Sequence, residues 1–359
     1  MPDALPFKKK IFFLFVYFLL LIVVGLIGTE IAKIDYKDGP QNRILQKSGG
    51  HLIEQHFAGL YTYDKKLGWV PNARVTKEKW GVPVSTLQDG IRSNGTAGAP
   101  KKGPLVLAFG GSFTFGDNVA DNATWPAQLE QMTDYRVLNA GVSSYGLDQD
   151  ILRAEELLPR YHPQIVIVSV IKDSFNRARE RVRHGVPKPY FMVDNGRLVL
   201  KNVPVPFKKN LKLDPFRRIA GYSYFINKFM DTFFNKYWWK DTMYDFEPVT
   251  EDQTGLSELL LARLDQLAAQ NHARLIVLFQ GTHAVSKNIL QGFQKHRQYM
   301  AAHLAHTEIC DAAAPLLTVK EGDPRKFETL FAVDGDGHMS QAGNRFVAQQ
   351  LKNCMEGIL

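Results

Sequence analysis

Leu105-Val-Leu-Ala-Phe-Gly-Gly-Ser-Phe-Thr-Phe-Gly116 is the stretch from which the rest of the chain can be read. Leu105 to Phe109 is unbroken apolar sequence, which reads as a strand covered on both faces. Gly110 and Gly111 then permit a turn that most side chains forbid. Ser112 therefore stands just past the carboxyl end of a buried strand, the edge at which open α/β sheets bind ligands. A hydroxyl there becomes a nucleophile if a base reaches it. Near the other end, Val333-Asp-Gly-Asp-Gly-His-Met-Ser-Gln-Ala-Gly343 offers His338, with Asp334 and Asp336 beside it. Taken singly, Gly-Gly-Ser is an ordinary β-turn and His338 an ordinary loop histidine. The two together, with ordered blocks between them, favour a nucleophile and its base.

Outward from Ser112 the chain alternates between two periods. Leu105–Phe109, Tyr135–Asn139, Gln164–Ile171, Arg274–Phe279 and Thr307–Asp311 read as strands. Thr124–Met132, Leu147–Tyr161, Ser257–Gln270, Leu290–His303 and Ser340–Met355 read as helices, the last with Ser340 as N-cap. Repeated β-α alternation predicts a parallel sheet between two helical layers. The rhythm breaks over Arg177–Thr254. Tyr190–Leu200 reads as a hairpin turning at Asn195-Gly196. Beyond it Tyr222, Phe225, Ile226, Phe229, Met230, Phe233, Phe234 and Tyr237 recur at helical spacing. Two readings of this aromatic helix stand: ordinary packing on the domain, or a lid or membrane-resting surface.

The chain has 359 residues, a formal charge of +8 and 45% apolar residues, enough for a full core and against global disorder. The basic residues are scattered and no nucleic-acid motif accompanies them, so the reading assigns no nucleic-acid partner. Anionic lipid or an acidic glycan is as good a use of the charge. The two cysteines, Cys310 and Cys354, lack metal-ligand spacing. In an oxidising compartment they can pair; in a reducing one they are buried thiols. No metal and no cofactor is assigned.

Lys8-Lys-Lys10 precedes Ile11–Gly28, which carries no charge and has about the length that spans a bilayer. A cleaved signal peptide is the rival, but Gly28-Thr-Glu-Ile-Ala-Lys33 is a poor cleavage site. The expectation is an uncleaved single-pass anchor in the inner membrane over residues 1–32, with a stalk over 33–59. The domain over 60–359, bearing an insertion at 177–254, is expected outside the cytoplasm, in the periplasm where there is one.

Three blocks carry a resemblance. Phe109–Gly116, Val137-Leu-Asn-Ala-Gly-Val142 and Val333–Gly343 resemble, in order, blocks of the SGNH (GDSL-type) hydrolase family in its membrane-anchored bacterial branch, over roughly residues 60–356. The resemblance implies a flavodoxin-like three-layer α/β/α sandwich with a five-stranded parallel sheet. It implies a serine esterase or O-acyltransferase acting on an ester-bearing envelope glycan or lipid. Ser112 would be nucleophile, His338 base, and Asp336 the orienting acid, with Asp334 as fallback, since position 335 is Gly where many members have the acid. The oxyanion donors would be the amides of Ser112 and Gly141. Gly111 stands where many members have Asp, and Lys172 where the family has an oxyanion Asn. Lys172 can donate in that place, or Asn176 can reach in, or the hole is one donor short. In the last case the alternative is a non-catalytic envelope scaffold retaining the fold.

Overall fold

The computed structural model describes residues 7–32, 59–95, 101–184, 186–206, 214–238, 246–250, 253–333 and 337–358. The chain divides into two compact units, one comprising residues 1–52 and 208–244, the other 53–207 and 245–359. The region read as an insertion, 177–254, is thus shared: 208–244 belongs to the first unit and the flanking segments to the second.

The second unit is built on a five-stranded parallel sheet: β1 (Leu105–Phe109), β2 (Arg136–Asn139), β3 (Ile165–Val170), β4 (Arg274–Phe279) and β5 (Thr307–Asp311), in spatial order 2-1-3-4-5. The registers are parallel throughout, with Val106 opposite Val137 and Ile165, Ile276 opposite Ile167, and Ile276 opposite Glu308. That order is the flavodoxin-like one, and its switch point lies between β1 and β3. Every residue of β3 is buried, as a strand covered on both faces requires.

Alternation along the strands divides the core. Val106, Ala108, Ile165, Ile167, Ile276 and Leu278 face one side. There they pack with Trp125 and Leu129 of α2 (Trp125–Met132) and with Val347, Leu351 and Met355 of the final helix, α9 (Gln341–Ile358). The opposite face is covered by α3 (Leu147–Tyr161), α5 (Leu256–Gln270) and α6 (Lys287–His303). Thr124 caps α2, accepting from Ala127 N, so the helix begins one residue after the start of the Thr124–Met132 span read from the sequence. α6 starts at Lys287, a turn earlier than its apolar pattern indicates. Helices absent from the sequence reading are α1 (Ser112–Phe115), α4 (Lys172–Arg177), α7 (Ala313–Gly322) and α8 (Pro324–Thr329).

A disulfide joins Cys310 of β5 to Cys354 of α9, with Cα atoms 5.9 Å apart. Two hairpins, 61–71 and 76–85, precede the sheet. A third pairs Tyr190–Asp194 with Arg197–Lys201, its turn at Asn195 and Gly196, both at positive φ.

The first unit contains the helix Phe7–Ala32, of which Lys9–Ile31 is long and apolar enough to cross a membrane and is not buried. It also contains the short helices Pro215–Ala220, Tyr224–Phe233 and Asn235–Trp238. Ala220, Met230 and Trp238 form a small core, and Trp238 Nε1 donates to Asn227 Oδ1 at 2.7 Å. Phe216, Ile219, Tyr222, Phe225, Phe229, Phe233, Phe234 and Tyr237 stay exposed. Glu30, at the end of the long helix, accepts from Ser223 Oγ (2.5 Å), Tyr224 N (3.0 Å) and Phe225 N (2.8 Å). A carboxylate at the N-terminus of Tyr224–Phe233 satisfies donors that the helix itself cannot. The stalk expected at 33–59 lies almost wholly outside the described residues.

Candidate active site

Ser112 is the first residue of α1, directly after β1. Gly110 makes the turn: its φ is +145°, and a Cβ there would lie 2.4 Å from Thr114 Oγ1 and 2.8 Å from Ser169 O. Only glycine fits both the backbone and the gap. The chain thereby turns at once into α1 and holds Ser112, 5% exposed, at the carboxyl edge of the sheet. His338 lies in the segment between α8 and α9, in which Phe331 bridges Met339 and Ala332 N donates to His338 O at 3.0 Å. The Phe113 ring packs 5.1 Å from the imidazole. His338 Nε2 stands 2.8 Å from Ser112 Oγ. If the hydroxyl donates, Nε2 is unprotonated and the ring proton sits on Nδ1. Among the described residues, Nδ1 has no hydrogen-bond partner. Asp334 and Asp336 lie outside the described residues.

The remaining expected oxyanion donors are placed differently from the sequence reading. The Gly141 amide donates to Asn139 Oδ1 at 3.0 Å, while Asn139 Nδ2 donates to Thr114 O at 2.8 Å. Asn139 therefore ties the loop after β2 to α1 and engages the amide assigned to the oxyanion. What requires glycine at 141 is close packing, since a Cβ there would lie 2.5 Å from Phe115 N. Lys172 and Asn176 are both exposed, neither lines the cleft, and Asn176 Nδ2 donates to Asp173 Oδ1 at 3.3 Å. The reason is helical geometry. The chain enters α4 immediately after β3, so positions four apart share a face. Asp173 and Arg177 face the cleft, and Lys172 and Asn176 face solvent. The Ser112 amide remains, in the first turn of α1, where no intrahelical acceptor exists.

The cleft over Ser112 and His338 has a volume of about 540 Å³ and is walled by residues that sequence reasoning missed. Asp117 accepts from Ser143 Oγ at 2.6 Å, and Ser143 in turn accepts from Tyr61 Oη at 2.9 Å. Burial and the nearby Asp117 charge raise the Tyr61 phenol far above its ordinary pKa, so it stays a donor. His184 Nε2 lies 2.8 Å from Ser144 Oγ. Lys79 Nζ sits 3.9 Å over the Trp80 ring, and burial lowers its pKa. The second hairpin, 76–85, thus supplies part of one wall through Lys79 and Trp80. Beneath the wall, Lys188 and Asp148 form a fully buried ion pair. Arg92, also buried, donates to Phe115 O, Gly116 O and Val119 O and holds the loop that follows α1.

Fold and site together define a three-layer α/β protein with a serine–histidine pair at its topological switch point. No family model matches the chain, and no curated protein matches it. Solved structures that resemble it include TesA (14% identity, TM-score 0.39), covering 71% of this chain and 99% of that one. An acetyl xylan esterase, AlAXEase, has 12% identity and a TM-score of 0.41, covering 71% of this chain and 100% of that one. A member of the lipolytic G-D-S-L family from Veillonella parvula has 12% identity and a TM-score of 0.39, covering 69% and 96%. The fold assignment stands on this chain's own strand order and registers.

Proposed function

We propose that the chain is a membrane-anchored, extracytoplasmic serine ester hydrolase or O-acyltransferase of SGNH type, acting on an ester-bearing envelope glycan or lipid. The observation that carries this reading is the 2.8 Å contact between Ser112 Oγ and His338 Nε2 at the carboxyl edge of the sheet. Ser112 Oγ attacks the acyl carbon while His338 takes its proton, and the Ser112 amide donates to the developing oxyanion. Collapse expels the alcohol, which leaves with the proton from His338. Water or a sugar hydroxyl then accepts the acyl group by the reverse sequence. Asp336, or Asp334, is assigned to orient Nδ1. The disulfide supports an oxidising compartment, and the apolar span supports the anchor. The exposed phenylalanines of the first unit support rest against the bilayer.

The test is labelling of the purified full chain with a serine-directed phosphonate, followed by peptide mapping, and turnover of simple acetyl esters. Label on Ser112, lost in Ser112→Ala with the fold retained, supports the reading. A folded protein that neither labels nor cleaves any acetyl ester would instead favour the scaffold, a reading that the engagement of the Gly141 amide and the outward Lys172 also supports.

A further inference from the structure

Arg177 ends α4, is 8% exposed and lines the cleft beside Ser112. Asp173, Glu180 and Asp150 lie close enough to act on its charge, but its guanidinium makes few direct bonds. Nη1 makes a long bond of 3.3 Å to Tyr145 O, Nη2 lies 3.9 Å from Asp173 Oδ2, and Nε has no partner among the described residues. Asp173 is itself 58% exposed, so its charge is shared with solvent. Asp150, buried near by, is held above the ordinary carboxylate range by burial and by Asp148, against the pull of Arg177 and Arg153. Arg183 lines the same cleft. Burial, and after it the charge of Arg183, draw the Arg177 pKa down to about 10. Arg183 is itself bound by Glu180 at 2.9 Å.

Position 111 explains the room. A Cβ on Gly111 would lie 3.1 Å from Arg177 Nη1. The guanidinium therefore stands against the residue preceding the nucleophile, in space that a side chain at 111 would contest. A buried guanidinium with unused donors in an open cleft is a preorganised receptor for anionic oxygen.

We propose that Arg177, with Arg183 behind it, is an anion subsite that binds a carboxylate or phosphate carried by the substrate beside its scissile ester. The substrates are then acidic esters, and neutral esters of the same shape are poor ones. The reaction assigned to the subsite rests on the esterase reading above; the subsite itself does not.

The experiment compares 4-carboxyphenyl acetate with 4-carbamoylphenyl acetate on the full chain in detergent. In parallel it titrates 4-acetamidobenzoate, 4-acetamidophenyl phosphate and 4-acetamidobenzamide, which carry no ester. The wild type should favour the carboxylate ester by roughly tenfold to a hundredfold in kcat/KM, mostly through KM, as charge-assisted hydrogen bonds allow. One or both anionic analogues should bind more tightly than the amide, and whichever binds better identifies the group. Arg177→Gln should bring both preferences towards unity, and Arg177→Lys should keep part of them. Equal kcat/KM for the two esters with equal binding of the analogues in the wild type overturns the proposal, whatever the variants do. So does a fall in kcat on both esters with the ratio preserved, which would make Arg177 an oxyanion donor instead. If anions bind selectively but no ester is cleaved, the subsite stands and the esterase reading falls.

Discussion

Replacing both cysteines with alanine measures what the Cys310–Cys354 bridge contributes. The bridge closes a loop of 44 residues. In the chain-entropy model, cross-linking such a loop removes about 13 cal/mol/K from the unfolded chain, or about 4 kcal/mol at 25 °C. Cys310 is 1% exposed and joins the cluster formed with α9, so the double alanine variant also loses some packing. Residual order in the unfolded chain acts in the opposite direction. The expected loss is therefore about 3–4 kcal/mol, which for a unit of this size lowers the melting temperature by roughly 6–16 °C. The assay is urea denaturation of the full chain in detergent, followed by circular dichroism, oxidised, reduced, and as Cys310→Ala/Cys354→Ala. The reduced wild type and the double variant should coincide to within about 1 kcal/mol. A loss below about 1 kcal/mol, or two free thiols in protein isolated from membranes without reductant, would refute both the magnitude and the compartment argument.

Lys172→Ala should change turnover less than about twofold, because the side chain points to solvent; a loss of a hundredfold, the usual cost of removing an oxyanion donor, would show that it swings into the cleft. Asp150→Asn should flatten the pH dependence of stability: the folded carboxyl, raised by burial and Asp148, holds its proton above the unfolded pKa of about 3.9, so the wild type loses up to about 1.4 kcal/mol per pH unit above that value. Denaturation curves between pH 4 and 7 that remain parallel for the two proteins would reject this. Nitroxide labels at Phe229→Cys and Phe233→Cys, in full chain reconstituted into nanodiscs containing anionic lipid, should be more accessible to oxygen than to a water-soluble nickel complex. The reverse ratio, as expected of a label at Gln349→Cys on the exposed face of α9, would place the aromatic helix in water.

What was legible in the sequence follows from how local the physics is. Ile165–Val170 could be read as a central strand because burial on both faces leaves an uninterrupted apolar run, which solvent-facing structure does not produce. Ser112 and His338 could be paired because glycine-rich turns at strand ends leave marks within a few residues. The oxyanion donors could not be read in the same way. Whether Lys172 faces the cleft depends on β3 passing straight into a helix, and a one-residue change in that start would exchange Lys172 and Asn176 for Asp173 and Arg177. The Gly141 amide is engaged by Asn139, two residues away, through a side-chain rotamer that no pattern encodes. Nothing in the sequence around Arg177 marks it as buried, and it becomes so only when α4, the loop at Tyr145 and Gly111 meet.

The serine and its imidazole are 226 residues apart in the chain, and this fixes an order of events. At ribosomal speeds of about 5–20 residues per second, Ser112 emerges on the order of ten to forty seconds before His338. Throughout that interval Ser112 lacks its imidazole neighbour, however early β1 and β3 pair. Its partner arrives on the segment that leads into α9, and α9 is secured to β5 by the disulfide. The contact between Ser112 and His338 therefore forms late in the order of this sequence, beside the segment that the Cys310–Cys354 bridge ties to β5.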